Sequence, residues 1–172
     1  MIMRFSDIKQ FTSYGSYEVE QSLRSLPEWV EDQQNDLNLQ LNPDFQRGHV
    51  WTKQQEISYI EYLLRGGSSA RTILFNHPGW MTDWEGDFVC VDGLQRLTAC
   101  LKFMNDELPV FNNYFFHDFE DKIPRDISLR ININNLKTRK EVLSWYIELN
   151  SGGTVHTDAE INRVKELLKK EG

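Results

Sequence analysis

Five consecutive residues, Asp92–Arg96, combine a carboxylate, a glycine, a carboxamide and a guanidinium at the end of an apolar run. The run before Asp92 is typical of a buried strand, and the segment after Gly93 repeats apolar residues with helical spacing. A strand-to-helix turn directs unpaired backbone N–H groups and the positive end of a helix dipole at one point. Glycine lets an anion approach the backbone closely, and a guanidinium can bind two phosphate oxygens at once. The segment therefore predicts a phosphate site.

Gln95 and Arg96 would lie in the first turn of the predicted helix, where Arg96 could bind phosphate oxygens. Asp92 could be the protein ligand of a Mg²⁺ ion and its water, or it could orient an attacking water. A purely structural interpretation is also open, in which Asp92 caps the helix, Gly93 turns the chain and Arg96 is a solvated charge. The segment lacks the repeated glycines of a P-loop or a dinucleotide-binding fingerprint.

A second polar group lies in the segment Asn42–Trp51. Its large apolar side chains are expected to fix the loop to the core and to leave Gln46 and Arg47 directed at a ligand. Arg47 would then bind a second phosphate, and Gln46 would contact a base edge or a ribose. The alternative is that Arg47 ties two loops together through backbone carbonyls.

A third group, Leu149–Thr157, contains Asn150 and Gly152 between two helical patterns. Its glycine pair suits a tight loop with exposed backbone donors, which resembles an anion-binding nest. The alternative is a plain helix–helix connection with glycine ending the first helix. His156 is expected to be a solvated loop residue.

The elements that must position these groups follow from capping and periodicity. Thr52, Thr138 and Thr157 each open a capping box followed by apolar residues at 3.6-residue spacing, which predicts three helices. A further helix is predicted over 16–34, with Pro27 breaking or restarting it. Strands are predicted at 38–41, 72–75, 88–91 and 129–133, a loop or hairpin tip at 76–87, and nothing definite at 106–127. The expected fold class is α+β, a small mixed sheet packed by helices.

Composition limits the classes of protein that the chain can be. The 172 residues have the length of one domain, so we expect a single domain over 1–172. The net charge of −7 repels nucleic acid, so DNA binding by this chain alone is not expected to be tight. A local basic patch could still form from four arginines: Arg47, Arg65, Arg71 and Arg96.

The two cysteines, Cys90 and Cys100, both lie in apolar surroundings, so we expect buried thiols. Two cysteines and four scattered histidines make no zinc pattern. The start of the chain has no signal-peptide character, and no apolar run is long enough to span a bilayer. We therefore expect a cytoplasmic protein that does not contact the membrane.

Taken in order, these segments resemble the amino-terminal domain family of the GmrSD restriction enzymes, also known as domain of unknown function 262. The resemblance covers nearly the whole chain and rests on four motifs. They are Pro-x-Phe-Gln-Arg-x-x-Val-Trp at Pro43–Trp51, a helix ending in glycine at Tyr59–Gly67, Asp-Gly-x-Gln-Arg-Leu-Thr at Asp92–Thr98, and Leu-Asn-x-Gly-Gly at Leu149–Gly153.

The resemblance implies a ParB/sulfiredoxin-like fold whose Asp92–Arg96 motif binds and hydrolyses a nucleoside triphosphate of the GTP or ATP class, with Mg²⁺. In relatives, this hydrolysis accompanies DNA cleavage by a separate His-Asn-His nuclease domain, often against modified phage DNA. The catalytic residues would be Asp92, Gln95 and Arg96, and Asp92 would be the metal ligand. The nucleotide-binding residues would be Gln46, Arg47, Gly93, Leu94, Asn150 and Gly152.

This chain departs from the family in two respects. Leu94 replaces the first glutamine of the motif, and no nuclease pattern follows, so we expect any nuclease to be a partner subunit. Besides an NTPase linked to restriction or phage defence, two functions stay open. One is a non-catalytic module that senses a nucleotide or docks a partner, as a regulatory subunit or decoy. The other is a ParB-like DNA-binding or nicking domain, and a homo-oligomer is compatible with each.

Overall fold

The computed structural model describes residues 3–4, 7–8, 17–48, 50–151 and 158–172 of the chain. Two 3-10 turns, Leu23–Ser25 and Phe116–Asp118, accompany the regular elements. The strands are β1 Tyr17–Ser22, β2 Thr72–Asn76, β3 Val89–Asp92 and β4 Ser128–Asn134. The helices are α1 Leu26–Leu37, α2 Lys53–Leu64, α3 Leu94–Met104, α4 Arg139–Ser151 and α5 Asp158–Lys170.

The four strands form one mixed sheet in the order β1-β4-β2-β3. β4 lies antiparallel to β1 and parallel to β2, and β2 and β3 form an antiparallel pair. The expected α+β class, a small mixed sheet packed by helices, is confirmed. The finer assignment to the ParB/sulfiredoxin-like folds stays a prediction.

Two of the three predicted capping boxes can be examined, and both are present. The Thr52 hydroxyl accepts from the Gln55 N–H, and the Gln55 side chain accepts from the Thr52 N–H. Thr138 and Glu141 make the same reciprocal pair at the start of α4. Thr157 lies outside the described residues, although α5 begins directly after it. The three predicted helices are thus confirmed.

The helix predicted over 16–34 is wrong in its first half. Residues Tyr17–Ser22 form β1, and α1 begins at Leu26 with Pro27 in its first turn, where proline is tolerated. The spacing of Val19, Leu23 and Leu26 suggested one helical face. In the structure they belong to three different elements that pack against the same core. Residues 17–22 form a strand because they pair with β4, which lies more than 100 residues away in the chain. The Ser128 hydroxyl also donates to the Glu20 carboxylate. A local pattern does not contain that information.

The strands predicted at 72–75, 88–91 and 129–133 are confirmed. The strand predicted at 38–41 is only an isolated β-bridge. Gln40 alone pairs with Val89, through the Gln40 N–H to the Phe88 carbonyl and the Cys90 N–H to the Gln40 carbonyl. The segment 76–87 does connect β2 and β3, but only 81–87 is exposed throughout, since His77 is fully buried. Segment 106–127 contains one 3-10 turn and an isolated bridge between Val110 and Tyr114.

The core divides into two clusters on opposite faces of β3. Cys90 belongs to the larger cluster with α1, α2 and α3, whereas Val89 and Val91 belong to a second cluster with α4 and α5. β3 alternates between them because successive side chains of a strand point to opposite faces. The end of β3 therefore lies between two helical layers, with the start of α3 on one side and the end of α4 on the other.

Candidate functional site

A cleft of about 280 Å³ opens at the point where β3 gives way to α3. A volume of this size lies just below the usual range for small-molecule sites. All the predicted site residues that the structure describes line it: Gln46, Arg47, Asp92, Gly93, Leu94, Gln95, Arg96 and Asn150. The remaining one, Gly152, lies outside the described residues.

The turn between β3 and α3 depends on Gly93. Its φ of 100° lies in the left-handed region, and it occupies the N-cap position that the structural interpretation gave to Asp92. A Cβ atom on residue 93 would lie 2.6 Å from the Ile73 Cδ1 and 3.2 Å from an Arg96 terminal nitrogen. The backbone conformation therefore favours glycine at residue 93, and a larger residue would require the Ile73 side chain to move. The first N–H groups of α3 have no intrahelical acceptor and are presented at this corner.

Arg96 is neither solvated nor free within this corner. Its Nη2 donates to the Asp92 Oδ2 and to the Thr72 carbonyl, both at 3.0 Å. Its Nε is buried and has no hydrogen-bond partner in the described structure. The carboxylate of Asp92 is 41% exposed, so the pair lies at the cleft surface rather than in the core.

The two glutamines that line the cleft are bound to the backbone. The Gln95 Oε1 accepts from the N–H groups of Val50 and Trp51, and its Nε2 donates to the Gly48 carbonyl at 2.7 Å. The Gln46 Nε2 donates to the carbonyls of Cys90 and Val91 at the end of β3. Both carboxamides join the segment 46–51 to the β3–α3 corner.

Arg47 contributes a second guanidinium to the cleft. Its side chain is 12% exposed and lies 3.8 Å from the Glu160 carboxylate of α5. At the opposite wall of the site, the Asn150 Nδ2 donates to the Tyr146 carbonyl one turn earlier in α4. Arg47 and Arg96 thus reach the cleft from different parts of the chain, and each has an acidic neighbour.

Four lining residues were not among the predicted site residues: Trp51, Val91, Tyr146 and Leu149. Helical spacing could have identified Tyr146, because it lies one turn before Asn150 on α4. Burial raises the pKa of Tyr146, so its hydroxyl stays protonated at neutral pH and can act as a donor. Trp51 adds an aromatic wall, and its ring edge contacts Tyr59 with centroids 5.5 Å apart.

The protein offers little for a metal without help from a ligand. In the described residues, no group of three or more His, Cys, Asp or Glu side chains converges as a metal site would require. Mg²⁺ is commonly held by one or two carboxylates together with substrate phosphates and water. Asp92 alone fits that arrangement, with the phosphates supplying the other ligands.

The family model of the amino-terminal domain of the GmrSD restriction endonuclease matches residues 26–165 of the chain. The chain belongs to this family. The resemblance seen in the four motifs is thereby confirmed, and membership links this GmrSD-type domain to restriction systems. Comparisons with the curated proteins and with the solved structures found no match.

The thiols of this GmrSD-type domain are not placed for chemistry. Burial raises the pKa of the Cys100 thiol to about 12 and that of Cys90 well above its ordinary range. A reactive cysteine needs a stabilised thiolate and some exposure, and both thiols are buried. The prediction of buried thiols is confirmed. In the described part of the chain, no helix has the length and apolar character needed to cross a bilayer.

Replacing Gly93 with alanine in the GmrSD-type domain is expected to lower the free energy of unfolding by about 2–4 kcal/mol, because backbone strain and a collision add together. The control is Gly66→Ala, since Gly66 has a φ of 83° but nothing within 4 Å of its added Cβ. That variant should lose only the strain, about 1–2 kcal/mol. Urea unfolding of both proteins measures the difference. Equal losses would show that Ile73 yields without cost and that space at residue 93 is not limiting.

Proposed function

We propose that this domain binds a nucleoside triphosphate in the cleft at the end of β3 and hydrolyses it with Mg²⁺. The observation that carries the proposal is the convergence of two guanidinium groups, a carboxylate and a helix N-terminus on one cleft. Phosphates are bound by such groups because each supplies positive charge or N–H donors to several oxygens. We further propose that the nucleotide controls DNA cleavage by a nuclease partner in the cytoplasm.

In the proposed reaction, water attacks the terminal phosphorus, the bond to the bridging oxygen breaks, and a nucleoside diphosphate and inorganic phosphate leave. Arg96 and Arg47 stabilise the charge on the phosphate oxygens, and the N–H groups at the start of α3 add to this. Asp92 holds the metal or orients the water. Mg²⁺ would neutralise phosphate charge as a Lewis acid when bound. Arg96 must exchange part of its bond to Asp92 for phosphate as the ligand enters.

Nucleotide binding without turnover is the second candidate function, and one observation favours it. Both hydrogen-bonding ends of the Gln95 carboxamide are bound to the segment 48–51, so this side chain is not placed to orient water. Leu94 stands where the family motif has its other glutamine. The alternative therefore predicts affinity with little hydrolysis, and Gln95 would support the loop rather than the reaction.

DNA binding by a basic face is the least supported of the three candidates. Each arginine of the suspected patch has a partner within the protein. Arg71 donates to the carbonyls of Gly67 and Asp126, and Arg65 lies over the ring of Phe111. Arg47 and Arg96 have carboxylate neighbours. The net charge of −7 also opposes binding to a phosphate backbone.

A hydrolysis assay over ATP, GTP, CTP and UTP, with and without Mg²⁺, tests the proposal. The expected result is release of phosphate that requires Mg²⁺ and is lost when EDTA is added. Calorimetry on the same nucleotides separates the two leading candidates. Affinity without release would favour the binding module, whereas absence of both in folded protein would rule out the nucleotide site.

A further inference from the structure

Arg163 of α5 makes an unusual set of contacts with the loop that carries Gln46 and Arg47. Its Nη1 donates to the Asp44 carbonyl at 2.8 Å, and its Nη2 donates to the carbonyls of Phe45 and Gln46, both at 3.1 Å. One guanidinium thus binds three successive main-chain carbonyls. Only arginine has a fork of donors that suits such an arrangement, since the lysine ammonium is a single compact centre.

The same loop is fixed by a second side chain beyond Arg47. Gln95 binds the carbonyl of Gly48 and the N–H groups of Val50 and Trp51. Main-chain groups on both sides of Arg47 are therefore bound, by α5 on one side and by α3 on the other. Arg47 itself stands between these two attachments, where its guanidinium lines the cleft.

α5 does not need Arg163 in order to pack. Ile161 and Val164 are both buried, Val164 belongs to the second core cluster, and α5 contacts α4. Glu160, three residues before Arg163 on the same helix, lies 3.8 Å from the Arg47 guanidinium. One turn of α5 thus contacts both the main chain of the loop and the charged end of Arg47.

We propose that Arg163 is a positioning residue of the nucleotide site, which fixes the main chain at 44–46 so that Arg47 stands at the cleft wall. The inference rests on the proposed function, because the position of Arg47 matters for activity only if Arg47 binds phosphate. It assigns to α5 a role in ligand binding that the family motifs do not include. Gln95 performs the same task on the other side of Arg47.

Arg163→Ala tests this role, with Arg163→Lys as a milder variant and Lys165→Ala as the control. Lys165 is an exposed cation on the same helix, so its loss changes the charge of α5 equally. Hydrogen exchange is first measured without any nucleotide. We expect amides of the segment 46–51 to exchange about tenfold faster in Arg163→Ala, less so in Arg163→Lys, and at the wild-type rate in Lys165→Ala. Unchanged exchange in Arg163→Ala would overturn the proposal.

The second measurement is a double-mutant cycle on ATP affinity. Arg163→Ala is expected to weaken binding about tenfold in the wild-type background and to have little effect in an Arg47→Ala background. Additive losses would overturn the proposal, since Arg163 would then act independently of Arg47. If the wild-type protein binds no nucleotide while Arg163→Ala still loosens the loop, the proposed function fails and the loop attachment stands. Circular dichroism establishes that each variant is folded, and Arg163→Lys decides the question if Arg163→Ala does not fold.

Discussion

Replacing Arg96 with alanine is expected to reduce phosphate release from ATP or GTP by about 10²–10³-fold, the usual loss when one charge-stabilising donor is removed. The loss is expected because of where the Arg96 side chain lies in the cleft. The Arg96 guanidinium lies at the helix N-terminus, beside Asp92, with its Nε buried and unsatisfied in the described structure. No other cation replaces it at this corner among the described lining residues except Arg47, which reaches the cleft from another loop.

The matched control is Arg130→Ala, because Arg130 also pairs with carboxylates, Glu18 and Glu20, but does so on the sheet surface away from the cleft. It should retain wild-type hydrolysis. Arg96→Lys keeps the charge and loses the two-pronged geometry, so an intermediate rate is expected. Steady-state phosphate release measures all three, with thermal unfolding as a check on folding. Wild-type turnover in Arg96→Ala would remove the central residue from the proposed site.

The sequence predicted the parts of this site that depend on local signals. The capping boxes at Thr52 and Thr138 fix the start of two helices through contacts only three residues apart, and the structure contains both. The β3–α3 turn was predicted in the same way, from an apolar run, a glycine and an amphipathic segment. The resulting cleft brings together Arg47 and Arg96, which the order of the motifs alone could not guarantee.

The sequence failed where a residue's partner is distant in the chain. β1 was assigned to a helix because its pairing with β4 crosses more than 100 residues. The catalytic role of Gln95 stays a prediction, but the bonds of its carboxamide to the backbone of residues 48, 50 and 51 were not foreseen. Loop fixing through backbone carbonyls was considered for Arg47, and Arg163, which the sequence did not single out, makes three such bonds. Side-chain-to-backbone bonds between residues far apart in the chain leave no local pattern, unlike the capping boxes, so the sequence does not reveal which residue makes them.

Asp92 and a nucleotide phosphate would compete for the same guanidinium, that of Arg96. The Arg96 Nη2 donates to the Asp92 carboxylate at 3.0 Å, so this carboxylate binds the guanidinium that phosphate would need. Asp92 is thus a competitor of the phosphate when metal is absent and a partner of the phosphate, through Mg²⁺, when metal is present. Asp92 would thus weaken nucleotide binding without metal and support the reaction with metal, so one variant can separate the two effects.

Asp92→Asn is therefore expected to change two measurements in opposite directions. Hydrolysis with Mg²⁺ should fall by about 10²-fold or more, because the metal or the attacking water loses its carboxylate. Binding of the nucleotide in EDTA should become about three- to tenfold tighter, because a neutral carboxamide competes for Arg96 less strongly than a carboxylate does. Phosphate release measures the first effect, and calorimetry in EDTA measures the second.

Asp36→Asn on the exposed face of α1 changes the net charge by the same amount and does not line the cleft, so both measurements should stay at the wild-type values. It separates local competition at Arg96 from a general weakening of the repulsion between an acidic protein and an anion. If Asp92→Asn binds nucleotide in EDTA no better than Asp36→Asn does, the phosphate does not enter at Arg96. The anion would then have to be held by Arg47 and the turn amides, and the ion pair at the end of β3 would serve only the fold.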